Sequence, residues 1–131
     1  MTSRSERGWT LIEMVVVMAL IVILAGIATA QYRGAMTRSQ EAVLREDLFR
    51  MRDAIDQYYA DKNKYPSDLN ALVSDGYIRE VPRDPFTESA ETWQTTPADP
   101  DPGNPNVTPG IYNVHSGTER TAIDGSPYAN W

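Results

Sequence analysis

The chain has no cysteine and one histidine, His115, in 131 residues. The missing thiols exclude a disulfide staple, a thiolate nucleophile and the usual Cys/His zinc cluster. A Ser-His-Asp set drawn from Ser116, His115 and Asp124 exists only on paper, because nothing in the spacing supports it. A lone histidine at a strand end beside Ser116-Gly117 reads as structural, and no enzymatic activity is expected. An excess of positive charge is missing too. The net charge of -6 argues against a nucleic-acid partner. After an N-terminal anchor, about a hundred residues remain, room for one small domain. Lacking disulfides, that domain must be stabilised by its core, by neighbouring subunits or by an ion.

Charge is absent altogether between Met14 and Ala30. As a helix, Trp9 to Ala30 reaches about 33 Å, the thickness of one bilayer core. Arg4 and Arg7 precede this stretch, so the positive-inside rule places residues 1–8 in the cytoplasm and the remainder outside. Ala28-Thr29-Ala30 matches a small-x-small cleavage site, which keeps a secreted binding domain cut near Ala30 as an alternative. That alternative leaves Glu13 unexplained. An acid inside an apolar span costs roughly 2.5 to 3.5 kcal/mol on insertion scales.

The string Arg7-Gly8-Trp9-Thr10-Leu11-Ile12-Glu13 closely resembles the cleavage and assembly signal of type IV pilin-like proteins. The resemblance implies that residues 1–8 are a basic leader cut after Gly8 by prepilin peptidase, and that the new N-terminus, Trp9, is methylated. If the chain begins at Trp9, its α-amine is a cation four residues from Glu13. A carboxylate of one subunit facing the amine of its neighbour neutralises both charges, and in low dielectric such a pair is strongly favoured over two isolated ions. Attraction largely offsets desolvation, so the pair sets axial register between helices and makes Glu13 an assembly residue. The plainer alternative is a chance acid pairing within its own chain.

Beyond Ala30 the sequence stays helical in composition to about Ala60 and becomes amphipathic. Leu44, Leu48, Met51, Ile55 and Tyr58 recur at alternating spacings of four and three, which lays one stripe along a helix. Glu41 with Arg45, and Glu46 with Arg50, are i,i+4 pairs that mark a solvated or subunit-facing side. Gly26 and Gly34 are either bending points or sites of close helix approach. Asn63 is expected to end the helix before Tyr65-Pro66, and Ser67 to cap a short helix over Ser67 to Val73. Asp75-Gly76 and Asp124-Gly125 read as turns, residues 87–110 as a proline-rich loop anchored by Trp93, Ile111 to His115 as a strand, and Thr121 to Ile123 as a candidate second strand. The fold class expected is α+β and pilin-like: a long N-terminal helix, half membrane-spanning and half amphipathic, packed on a small C-terminal antiparallel sheet.

Tyr65-Pro66, Leu69, Leu72, Gly76-Tyr77-Ile78 and Pro82-Arg83-Asp84-Pro85-Phe86 form a second pattern. It resembles the segment after the long helix in major, G-type pseudopilins of type II secretion systems. This implies a chain in three parts: leader 1–8, transmembrane and assembly helix 9–30, and a periplasmic or extracellular domain 31–131. It also implies a homopolymer, an inner-membrane assembly platform, minor pseudopilins, and a route from single-pass inner-membrane precursor to periplasmic or extracellular filament. A true type IV pilin for adhesion or motility remains the nearest alternative. G-type pseudopilins commonly bind calcium in a C-terminal loop, for which Glu119 and Asp124 are the only matching carboxylates here; the alternative is a loop packed by Pro127, Tyr128 and Trp131 without a cofactor. The chain departs from the family in having Ala30 where a proline is often found, and Trp9 where phenylalanine or methionine is usual.

Overall fold

The structure, a computed structural model, describes residues 3–131, with side chains from Trp9 onward. The expected leader, with its cleavage residue Gly8, therefore lies outside the described side chains. The chain forms two units, one ending at Thr37 and the other running from Arg38 to Trp131. Helix α1 (Ser3–Lys62) contributes to both. Its second half explains the architecture of the second unit.

Leu44, Leu48, Met51, Ile55 and Tyr58 are all buried, as the alternating spacing predicts, and Ala54 joins them. The helix stops at Lys62 because Asn63 takes a left-handed conformation, φ 56°, its N–H still bonded to Tyr59 O at 2.8 Å. The chain turns at buried Pro66 and enters α2 (Leu69–Ser74), which drives Leu69 and Leu72 into the stripe. The cap of α2 is Asp68, not Ser67: Asp68 sits in extended backbone and its carboxylate accepts from Ala71 N at 2.8 Å. Gly76, with φ 80°, closes the following turn.

Residues 87–110 are not wholly a loop. Strand β1 (Gln94–Pro97) forms within them and pairs antiparallel with β2 (Ile111–His115), Gln94 opposite His115 and Thr95 opposite Val114. β1 has no apolar alternation to announce it; its backbone groups are satisfied by the more apolar β2, whose Ile111 and Val114 enter the core. Trp93 anchors the start of β1 as expected, buried and donating from Nε1 to Pro82 O at 2.8 Å. Thr121 to Ile123 is not a strand. Thr121 makes one isolated bridge to Pro127, because the turn at Gly125, φ 86°, reverses the chain before a ladder can grow. Tyr128 follows in a short 3-10 turn and is 1% exposed.

Two close approaches demand glycine. A Cβ at Gly110 would lie 2.5 Å from the carbonyl oxygens of Tyr65 and Pro66, and one at Gly117 would lie 1.9 Å from Thr92 O. Both obstacles are backbone and cannot rotate away. Gly117→Ala is expected to destabilise the domain by at least about 1–3 kcal/mol, as overpacking does. Gly34→Ala, whose Cβ meets nothing within 4 Å, should be neutral or slightly stabilising. Urea unfolding of the two variants side by side tests the contrast.

Candidate functional site

In the first unit the functional surface is the helix itself. Between Trp9 and Ile27 the large apolar side chains point outward: Trp9, Leu11, Ile12, Leu20, Ile21, Leu24 and Ile27 are all more than half exposed. α1 contains a stretch long and apolar enough to cross a membrane, and no part of that stretch is buried within the chain. The helix runs through Gly26 and Gly34 without interruption, and a Cβ at either would meet nothing within 4 Å. Thr29, the polar residue near its end, satisfies its hydroxyl on Ala25 O at 2.8 Å.

Glu13 lies on this exposed surface. Among the described residues no hydrogen bond or ion pair engages its carboxylate. An acid amid exposed apolar side chains, with no partner among the described residues, carries a desolvation cost wherever that surface leaves water.

The second unit shows where the other candidates fall. Ser116, His115 and Asp124 are not a catalytic set. Ser116 donates its hydroxyl to Asp84, His115 Nδ1 lies 3.1 Å from Trp131 O, and Asp124 accepts from Ser126 N at 2.9 Å and Ser126 Oγ at 2.6 Å. Those two bonds from Ser126 hold the Asp124 carboxyl below its ordinary pKa.

Glu119 and Asp124 are both exposed, and among the described residues no three His, Cys, Asp or Glu side chains gather as a metal would need. Calcium takes six to eight oxygens, and here one of two carboxylates already caps a turn while Arg120 stands between them in sequence. This donor set does not fit the ion.

Three polar residues that pattern reading assigned elsewhere, or passed over, hold the C-terminal part together. Glu41 is not on the solvated side with Arg45: it is buried, and its Oε1 accepts from Ile123 N at 2.9 Å and Tyr128 Oη at 2.8 Å. The sequence signal was available, since position 41 continues the Leu44 stripe by one step of three. Arg45 lies instead over the Trp131 ring, 4.3 Å from its centroid. Asp84 is fully buried and accepts from Phe86 N at 2.9 Å, Thr87 N at 3.4 Å and the Ser116 hydroxyl. Arg52 donates to Asn113 Oδ1 at 2.8 Å, to Val114 O at 2.9 Å and to Trp131 O. Only Glu46 and Arg50 form the surface pair expected, at 2.8 Å.

The exposed apolar helix, its lone acid and a small sheet-bearing domain define a pilin-like protein. The prokaryotic N-terminal methylation motif matches residues 3–29. The type II secretion system core protein G of Klebsiella michiganensis is 30% identical over 102 residues, 66% of this chain and 72% of the relative. That of Pectobacterium carotovorum is 32% identical, over 62% of each chain. The fimbrial protein EcpC of Eikenella corrodens is 34% identical over 62% of this chain and 56% of its own length. The chain belongs to the family of type II secretion system core protein G, the major pseudopilins. No solved structure matches it significantly.

Burial and the hydrogen bond to Glu41 push the Tyr128 hydroxyl up to about 12. The folded state therefore holds this proton more tightly than the unfolded chain, where tyrosine titrates near 10. The stabilisation is intact below about pH 10 and is lost as the pH rises toward 12. Tyr128→Phe should lower stability near neutrality, because Glu41 loses a donor, and should flatten the decline above pH 10. Unfolding midpoints of both proteins from pH 8 to 12 measure this.

Proposed function

We propose that the chain is a structural, non-enzymatic subunit of a pseudopilus that drives type II protein secretion. It enters the inner membrane as a single-pass precursor, is cut by prepilin peptidase between Gly8 and Trp9, and is methylated on the Trp9 amine. Copies then polymerise through residues 9–30 on an inner-membrane assembly platform with minor pseudopilins, and the filament extends into the periplasm. The observation that carries this reading is Glu13: an exposed carboxylate on an apolar helix with no intrachain partner among the described residues. Processing creates its counter-ion. The Trp9 amine of one subunit placed against Glu13 of the next neutralises both charges and sets the stagger. The apolar surface supplies contact area but no register, because one leucine face slides easily past another.

A second reading, a pilin for adhesion or motility, draws on the likeness to the fimbrial protein. The assembly physics is the same, and a deletion strain separates the two: loss of enzyme export against loss of twitching or adhesion.

Intact mass and N-terminal sequencing of protein extracted from membranes should give a chain that starts at Trp9 with one added methyl. A start near Gln31 would sink the assembly reading. Glu13→Ala should insert and be processed normally, yet yield at least about tenfold fewer filaments when sheared fibres are counted, as expected if each subunit addition is weakened by about 1 kcal/mol or more.

A further inference from the structure

The C-terminal part of the domain is tied to α1 by two opposite charges on one helix face. Glu41 and Arg52 are separated by about three helical turns and so point the same way. Glu41 gathers donors, the Ile123 N–H and the Tyr128 hydroxyl. Arg52 gathers acceptors: the Asn113 side-chain oxygen, Val114 O and Trp131 O. Between these two points the segment is closed by hydrogen bonds of its own and by a ring stack against Phe86. Ala122 N bonds to Ser126 O at 2.7 Å, Trp131 Nε1 bonds to Ser126 Oγ at 2.9 Å, and the Phe86 and Tyr128 rings stack at 4.1 Å.

A bound divalent cation organises a loop by collecting carbonyl and carboxylate oxygens. A guanidinium does the same with its fork of N–H donors, needs no loading, and repels a second cation from the oxygens it holds. We propose that Arg52 and Glu41 form a built-in ionic clasp that takes the place of a calcium ion, so that closure of residues 113–131 onto α1 is independent of divalent cations. The inference concerns how the domain folds and holds whether the filament serves secretion or adhesion.

The test is thermal unfolding of the full-length protein in detergent micelles, with excess EDTA and with millimolar calcium, together with limited proteolysis mapped over residues 113–131. The expected result is the same Tm and the same cleavage pattern in both buffers. A calcium-dependent rise would overturn the proposal. A site filled at about a hundred times its dissociation constant would raise Tm by roughly 10–20 °C in a domain of this size. Arg52→Met strands the Asn113, Val114 and Trp131 oxygens and should lower Tm by about 4–8 °C or more. Proteases should then open the segment, and calcium should not restore it. Arg52→Lys keeps the charge but not the fork and should recover only part of the loss. An Arg52→Met protein as stable as the parent would also overturn the clasp. Should that variant fail to fold, the two-buffer comparison on the parent and the Lys variant decide the question.

Discussion

The domain depends on covering one apolar stripe. From Leu44 to Tyr58 the second half of α1 presents a face that cannot be left in water, and almost everything C-terminal to the helix is arranged over it. α2 supplies Leu69 and Leu72, β2 supplies Ile111 and Val114, and the C-terminal turn supplies Ala122 and Tyr128. The sheet has only two strands, so it cannot form a core by itself. The helix is what makes it stable. In the first unit the same helix keeps its apolar side chains exposed, a surface suited to lipid and to copies of itself.

The stripe was legible because a helix repeats every 3.6 residues and five large apolar residues kept that rhythm. The ends of elements were legible where the chemistry is local, as at Asn63, Gly76 and Gly125. Where two residues of the same capping class stood side by side, Ser67 and Asp68, only the backbone conformation decides between them. β1 was hidden because Gln94–Pro97 earns its strand geometry wholly from its partner, and Thr121 to Ile123 misled because strand-like composition says nothing of whether a ladder has room to grow.

The polar contacts were less legible than the core for a different reason. Glu41 reads as half of a surface pair with Arg45, because sequence spacing shows neighbours along a helix but not what folds back onto it. Its acceptor role involves Ile123 and Tyr128, more than eighty positions away. Arg52 is similar, satisfied by groups that only the tertiary fold brings near, and Asp84 is so in part, its Ser116 donor being distant while Phe86 N and Thr87 N are local. Glu13 was legible for the opposite reason. Its surroundings are apolar by sequence alone, so the cost of its charge is apparent before any fold is known.

Between β1 and β2 the proline-rich excursion leaves and returns through one gate, where Ala98 N bonds to Gly110 O at 2.7 Å. Residues 99–108 are exposed throughout, and the nearby turns are held by short local bonds such as Gly103 N to Asp101 at 2.9 Å. The gate adjoins the irregular step of the ladder, where the register shifts between Thr96 and Pro97. Exposed and held by local bonds, this stretch is where changes of length and charge cost the fold least, so the outer surface of the domain can vary there while the covered stripe of α1 stays the same.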